Sequence, residues 1–261
     1  MLPVLKGIIA RRVLLNFRAD AQIVQAMLPK PFVVDAHQGA AVVGICLVRL
    51  EKLRPKGLPS QAGISSENVA HRVAVRYPQN GEMRPGVFIW RRETDQKLVQ
   101  MFGGRLFPGV HHEATFLTKE DENGIQMDVK SPTGDTDISF SATYNSSLPP
   151  SSAFKNLQEA STFFQQGGYG FSPSLRGNTV EGMELRILQW SLTPLMVRLK
   201  KTAFYGNFNR FPEGSIEFDC GLIMRAVPHE WHEIRERPEL QEISSRYRSV
   251  GDTNLPLRFS Q

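Results

Sequence analysis

Apolar and polar residues alternate with a period of two through much of this chain, the pattern of strands that bury one face. The clearest run covers residues 216–226, where Ile, Phe, Cys, Leu, Met and Ala take every second position. Shorter runs of the same kind begin at Val13, Val43, Val69, Ile138 and Met183. Clusters of Gly, Pro and Asn separate the runs, as at 78–81, 123–124, 132–134 and 212–214. This arrangement predicts many strands joined by tight turns.

Helices are predicted at few places. Asp20 is placed to cap a short helix over residues 21–28. A second helix is expected after residues 149–152, with an apolar face that ends at a pair of glycines. The stretch 228–248 is polar, and Pro238 is expected to divide it into two short helical turns at the surface.

Since strands dominate residues 11–226 and helices are only interspersed, the pattern favours a β-rich α+β fold. An antiparallel sheet that is curved or closed fits this order better than βαβ units. No internal repeat is found, and the Pro- and Ser-rich stretch 147–152 is interpreted as an internal connection. We therefore predict a single domain over residues 1–261.

The chain is long enough to bury a sizeable core without a metal or a disulfide. Its 31 lysines and arginines exceed its 26 acidic residues by only five, and the positive residues form no basic arm. No stretch approaches the roughly 20 apolar residues that span a bilayer. We expect no nucleic-acid partner, no membrane and a cytoplasmic location. Cys46 and Cys220 lie in apolar runs and are expected to be small buried hydrophobes rather than a disulfide.

Chemically active residue types concentrate between residues 63 and 115. Glu67 and His71 share the strand parity of Val73, so both are predicted to face the same apolar side. A carboxylate and an imidazole on such a face are costly unless they are paired. One interpretation is a functional site with perturbed pKa values. The other is a glutamate paired with an arginine, such as Arg91 or Arg92, that only stabilises the sheet.

Two sharp bends are predicted further on, at Gly103-Gly104 and at Pro108-Gly109, where a ligand or another strand could approach the backbone. The adjacent His111 and His112 point to opposite faces of an extended segment, so one of the two is expected to face any given cavity. A metal site built from one of them with His71 and a glutamate is an alternative. The spacing matches no closed metal motif, so we expect no metal. The phosphate-cradling and dinucleotide-binding glycine motifs are also absent, and we expect no cofactor.

Several stretches together resemble the YqjF-like family of uncharacterised proteins, a relative of the acetoacetate decarboxylase superfamily. The stretches are residues 12–18, 43–47, 66–72, 86–95 and 103–112. The resemblance implies a closed, cone-like antiparallel β-barrel with a few peripheral helices, whose interior holds a ligand site. This implication agrees with the strand-rich pattern.

The decarboxylases carry two adjacent lysines, of which the first forms a Schiff base and the second lowers its pKa; the acetoacetate decarboxylase lysine is the established example of that effect. His111 and His112 occupy the similar position here. Imidazole forms no Schiff base, so the family's decarboxylation mechanism is not expected. Glu67 resembles the family's barrel glutamate, and Arg105 matches the motif arginine.

Three hypotheses about function follow. The first is a lyase- or hydrolase-like enzyme acting on a small carboxylated or keto compound. Its general acid and base would come from His111 or His112 with Glu67, and its substrate-binding residues would be Arg18, Arg105 and His71. The second is a non-catalytic protein that retains the barrel cavity and binds a small acidic or aromatic ligand. The third is a Schiff-base enzyme using Lys200 or Lys201. The sequence leaves the oligomeric state open, a homo-oligomer included.

Overall fold

Strands make up most of the structure. A computed structural model of the chain describes residues 3–96, 109–174 and 179–234, together with residue 238. Its strands are β1 (Leu5–Asp20), β2 (Val33–Val34), β3 (Ala36–His37), β4 (Ala40–Pro55), β5 (Ile64–Gln79), β6 (Glu82–Thr94), β7 (His111–Glu113), β8 (Thr115–Glu120), β9 (Gly124–Lys130), β10 (Ile138–Tyr144), β11 (Tyr169–Pro173), β12 (Val180–Ile187), β13 (Thr193–Thr202) and β14 (Ile216–Glu233). The described part also contains the helices α1 (Ala21–Ala26) and α2 (Leu157–Gln165) and a 3-10 turn at Ser60–Ala62. Neither helix is long and apolar enough to cross a membrane.

Among the described residues, seven strands form a closed ring of hydrogen-bonded neighbours. The order around the ring is β1, β4, β5, β6, β11, β12 and β14, and β14 pairs again with β1. This arrangement confirms the expected closed sheet with few helices. The ring is not wholly antiparallel, because β11 runs parallel to β6, as does the short β7. A parallel neighbour needs a crossover, and the chain makes it through β7–β10 and α2.

A second layer of strands covers part of the ring from outside. Strands β13, β10, β9 and β8 follow β14 in the hydrogen-bonded order. Their apolar residues, such as Phe140 and Met127, pack in one cluster with Val13, Leu15 and Val73 of the ring strands. These ring residues belong to the alternating runs that the sequence predicts as buried.

The opposite face of the ring strands is also buried. Leu14, Leu222 and Met224 belong to a second apolar cluster, which Ala160 and Phe164 of α2 join. A ring strand is therefore covered on both sides, by the outer layer on one face and by the interior on the other. A buried functional side chain on a ring strand can therefore lie on either of its two faces, in the outer core or in the interior of the ring.

Local signals place the first helix correctly. The Asp20 carboxylate accepts hydrogen bonds from the backbone N–H of Gln22 at 2.8 Å and of Ile23 at 3.0 Å, as a helix cap requires. The second helix begins later than predicted, at Leu157, because Asn156 caps it.

The prediction for the C-terminal stretch was wrong where the structure describes it. Strand β14 continues to Glu233, and residues 229–233 pair with β12 while residues 227–231 pair with β1. His229 is buried in this strand and not at the surface. The stretch is polar in composition, but its partners on both edges supply the burial that makes it a strand. Of the remaining predicted turns, only Ile234 and Pro238 are among the described residues.

Candidate functional site

A cavity of about 120 Å³ lies inside the ring and is lined by residues of all seven ring strands. Most of its wall is apolar and includes Ile9, Leu50, Ile89, Met183 and Trp231. Its polar lining consists of Arg12, Cys46, Ser66, Asn68, Arg72, Arg92, Glu93 and His111. The Glu93 carboxylate pairs with Arg91 at 3.0 Å. A cavity of about 150 Å³ holds benzene, so this one suits a compound of roughly six to eight non-hydrogen atoms.

Arg12 on β1 and Arg72 on β5 bring two guanidinium groups to the wall. Nε of Arg12 donates to Sγ of Cys46 at 3.3 Å. Arg72 is only 4% exposed, and its Nη2 donates to Oδ1 of Asn16 at 2.8 Å. The Phe164 ring lies against the Arg72 guanidinium, with 5.2 Å between Cζ and the ring centroid. Both arginines therefore have neutral partners.

Arg92 on β6 is the third arginine of the cavity. Its Nε donates to the Ser172 hydroxyl at 2.9 Å. Burial lowers the pKa of Arg92 to about 10, while the Cys46 sulfur and the Glu181 carboxylate act to raise it. Burial likewise lowers the pKa of Arg72. For both cations, the loss of hydration on burial therefore outweighs the electrostatic stabilisation by neighbouring groups.

In the described part of the chain, no carboxylate oxygen lies within 4 Å of the Arg12, Arg72 or Arg92 guanidinium nitrogens. Buried arginines are normally paired with an acid. Arg72 is buried and Arg12 and Arg92 are half-buried, and three such cations around one cavity form a site that favours an anion.

His111 on β7 joins this wall beside its register partner, Arg92. Gly109 turns the chain into β7 with φ of 82°, and its N–H donates to Oε2 of Glu181 at 2.7 Å. A Cβ on Gly109 would lie 2.6 Å from Cβ of Ser172, so the close approach predicted at this bend requires glycine. Burial, and then the charge of Arg92, lower the pKa of His111 to about 3. The imidazole is therefore neutral at neutral pH.

His112 lies on the other side of β7. It is opposite Glu93 in register, and it does not line the cavity. Burial, and then the charge of Arg91, lower its pKa to about 4, against the opposing effect of Asp135. The two adjacent histidines thus point to opposite faces as predicted, and His111 is the one in the cavity.

Glu67 lies on the outer face of β5, away from the cavity wall. Both of its carboxylate oxygens accept hydrogen bonds from Nη2 of Arg11, at 2.9 and 2.8 Å. Arg11 also contacts Glu120 at 3.0 Å. Burial raises the pKa of Glu67 and outweighs the lowering by Arg11. The geometry agrees with the interpretation of a structural ion pair, although the arginine is Arg11, and it separates Glu67 from His111.

His71 shares the outer face with Glu67 and Val73, as their strand parity predicts. It is fully buried, and its ring stacks on Phe204 with 4.3 Å between centroids. Its Nε2 lies 3.6 Å from a carboxylate oxygen of Glu93, and burial holds its pKa well below the usual range. The parity is correct, but the face is the outer core. His71 is therefore not in a position to contact a ligand in the ring interior.

The two predicted substrate-binding arginines lie elsewhere. Arg18 pairs with Glu217 at 2.7 Å and lies 3.8 Å from Asp219, and it donates to the backbone carbonyl of Ser151. It does not line the cavity. Arg105 lies outside the described residues.

Comparison with known proteins decides the family. A family model matches residues 9–198, and the family is described as an uncharacterized conserved protein, DUF2071. This chain belongs to the DUF2071 family. The matched range contains the cavity arginines, Cys46 and His111. The sequence matches none of the curated proteins with which it was compared.

Solved structures show what fold this DUF2071 protein shares. Acetoacetate decarboxylase from Legionella pneumophila subsp. pneumophila str. Philadelphia 1 is 16% identical, with a TM-score of 0.55, and the match covers 91% of this chain and 86% of that one. An acetoacetate decarboxylase-like enzyme from Sphingomonas wittichii RW1 is 12% identical, with a TM-score of 0.57 and coverage of 92% and 94%. The enduracididine biosynthesis enzyme MppR, complexed with pyruvate, is 10% identical, with a TM-score of 0.53 and coverage of 88% of each chain. The fold that the resemblance implied is therefore confirmed.

Among the described residues of this DUF2071 protein, no lysine lines the cavity. Lys200 and Lys201 lie on β13, outside the ring, where both are exposed and Lys201 pairs with Asp137 at 2.8 Å. Within the described ranges, no group of three or more His, Cys, Asp or Glu side chains is placed to hold a metal ion.

Sequence reasoning missed Arg12, Cys46 and Asn68 as lining residues. Each occupies the position next to a buried residue in an alternating run, such as Arg12 before Val13. Such positions are normally interpreted as solvent-facing. The sequence did contain a signal for this part of the cavity wall. Three neighbouring ring strands each carry a functional side chain at such a position: an arginine, a cysteine and an asparagine.

Proposed function

We propose that this DUF2071 protein binds a small carboxylate inside the ring, between Arg12, Arg72 and Arg92. The observation that carries the proposal is that three guanidinium groups surround one cavity and that their hydrogen-bond partners in the described part are neutral. Guanidinium groups match carboxylates in geometry and charge. A bound carboxylate would return the electrostatic stabilisation that burial removes from Arg72 and Arg92.

The size and the polarity of the cavity limit the class of ligand that it can bind. The cavity volume of about 120 Å³ and the apolar wall favour a short acid with a small apolar or keto body. Acetoacetate and pyruvate fall in this size range. The structure of MppR with pyruvate and the name of the decarboxylase support the same ligand class, because both proteins share the fold.

His111 is the residue we propose for proton transfer in this cavity. Its imidazole is neutral at neutral pH, and with a pKa of about 3 it is a weak base in the ligand-free protein. Arg92 lowers the pKa of His111, and a carboxylate bound to Arg92 would offset that charge. Ligand binding would therefore raise the pKa of His111 and make it a stronger base. The catalytic roles predicted for Glu67 and His112 have no support from this geometry.

Binding can be tested by thermal unfolding with pyruvate, acetoacetate, the larger phenylpyruvate and the neutral acetylacetone. A ligand at about 100 times its Kd stabilises the folded state by about 2.7 kcal/mol, which corresponds to several degrees in Tm. We expect stabilisation by the two small acids only. Arg92→Met should abolish it, whereas Arg84→Met, a change of an exposed arginine on the same strand, should preserve it. Equal stabilisation by acetylacetone would contradict the proposal.

Turnover separates an enzyme from a binding protein. Proton NMR of acetoacetate or pyruvate with the protein would show product formation or exchange of the protons next to the keto group. We expect such a change with the native chain and its loss in His111→Gln, with the carboxylate still bound. Stabilisation without any chemical change in the native chain would favour the non-catalytic alternative.

A further inference from the structure

We propose that Cys46 is a covalent capture site for small anionic electrophiles, whose negative group the cavity arginines hold while the thiol sulfur attacks the electrophilic carbon. The inference rests on the proposed anion site and goes beyond it. It gives a role to a residue that sequence reasoning treated as a small buried hydrophobe.

The position of the sulfur is the first argument. Cys46 is half-buried on β4 and lines the cavity. Nε of Arg12 donates to its Sγ at 3.3 Å. Arg72 and Arg92 are also near enough for the Cys46 sulfur to act electrostatically on both. The sulfur therefore lies among all three cations of the site.

Arg72 supplies a second, independent argument for a ligand beside this sulfur. Its side chain lines the cavity and is 4% exposed, and its Nε has no hydrogen-bond partner in the described part of the chain. A buried donor of a charged group without a partner is costly. A ligand carboxylate at this point would accept that hydrogen bond and would lie next to Cys46.

The chemistry balances without any further reactant. With iodoacetate as the probe, the thiol proton passes to solvent, the sulfur forms a bond to the CH₂ carbon, and iodide leaves with the electrons of the C–I bond. The arginines would hold the reagent carboxylate while the sulfur attacks the adjacent CH₂ carbon. An ordinary exposed thiolate repels iodoacetate, so the neutral iodoacetamide reacts faster there. At Cys46 this preference should be reversed.

Cys220 provides an internal control. It is fully buried, and its Sγ accepts from Nδ2 of Asn16 at 3.6 Å. Burial, and then Asp219, raise the pKa of the Cys220 thiol far above its usual range. In the folded protein, Cys220 should therefore stay unlabelled by either reagent.

The experiment measures labelling rates of the full chain with iodoacetate and with iodoacetamide, assigned to each cysteine by peptide mass spectrometry. We expect iodoacetate to label Cys46 at least about tenfold faster than iodoacetamide does, within the range by which charge complementarity raises rates. Unfolding in urea should reverse the ratio. Arg92→Met should reduce the ratio in the folded chain, and Arg84→Met should leave it unchanged.

The outcomes distinguish this inference from the proposed function. If acetoacetate stabilises the protein but Cys46 is unlabelled, or shows the ratio of the unfolded chain, the anion site stands and the capture site is overturned. If acetoacetate gives no stabilisation and the ratio is also that of the unfolded chain, both are overturned. A raised ratio that saturating acetoacetate suppresses supports both.

Discussion

Removing a buried arginine usually destabilises a protein, but the cavity geometry predicts the opposite for Arg92→Met. Among the described residues, the Arg92 guanidinium donates a hydrogen bond to the neutral Ser172 hydroxyl, and no carboxylate lies within 4 Å of it. Methionine keeps much of the alkyl chain and places no charge inside the ring. We expect the ligand-free variant to be more stable than the native chain.

The magnitude follows from the pKa of Arg92. Its lowering to about 10 corresponds to on the order of 3 kcal/mol of destabilisation, at about 1.4 kcal/mol for each pH unit. Arg92 is half-buried, so solvent screening reduces this figure to about 2 kcal/mol. Losing the Ser172 hydrogen bond costs about 1 kcal/mol. The net gain expected is therefore about 1 kcal/mol.

The pH dependence of this gain has a defined sign. Between pH 6 and 9 the folded and the unfolded chain both keep the proton on Arg92, so the gain is constant there. Only above about pH 10 does the folded native chain release the proton before the unfolded chain, which relieves the cost in the native protein. The advantage of Arg92→Met should shrink in that range.

Urea unfolding of the ligand-free proteins measures the difference, provided that the slope of free energy against urea is unchanged. Arg84→Met on the same strand should stay within about 0.5 kcal/mol of the native value, because Arg84 is exposed. A loss of 1 kcal/mol or more in Arg92→Met would refute the reasoning, since it would show that the protein itself compensates this cation.

Three further predictions concern an ion pair of the outer core, the stability of the protein at acid pH and an exposed lysine. Glu67→Gln should cost about 3 kcal/mol in urea unfolding, because it removes the bidentate partner of the buried Arg11. The pKa of His229 is lowered to about 4, so the unfolded chain takes up a proton near pH 6.5 that the folded chain takes up only near pH 4. The free energy of unfolding of the native chain should therefore fall as the pH is lowered from about 6.5 to about 4. His229→Gln should reduce that fall by on the order of 3 kcal/mol. Protonation of Glu93, whose pKa in the folded chain is about 7, acts in the opposite direction in both proteins. Lys201→Met should change stability by less than about 0.5 kcal/mol and leave any carboxylate turnover intact, because its ion pair is exposed.

The strands themselves could be predicted from the sequence, because each alternating run has one mainly apolar face. The runs beginning at Val13, Val43 and Val69 lie in β1, β4 and β5. Parity within a run was also correct, as Glu67 and His71 show. Local chemistry placed the Asp20 cap and the opposed histidines 111 and 112 without any tertiary information.

Which face of a strand is the interior could not be predicted, because both faces are buried. In β1, β4 and β5 the regular apolar run packs under β8–β10 and β13 and the other face surrounds the cavity, whereas in β14 Leu222 and Met224 of the apolar run belong to the inner cluster. A period of two gives parity but not the side on which a partner layer lies. The candidate site was therefore assigned to Glu67, although the arginines of the opposite parity line the cavity. The end of β14 was missed for a related reason, since its burial comes from β1 and β12 and not from its composition.

The wall of the ring is a single layer of strands, and each strand has one face toward the ring interior and the other toward the outside of the ring. Along β5, the side chains of Ser66, Asn68, Ala70 and Arg72 meet the cavity, while those of Glu67, His71 and Val73 pack into the outer core. A substitution at one parity leaves the other side of the wall in place. Ligand chemistry can therefore diverge by changes at alternate positions while the outer half of each strand preserves the architecture. In such a fold, the inward-facing positions alone are the informative ones when comparing what two relatives bind.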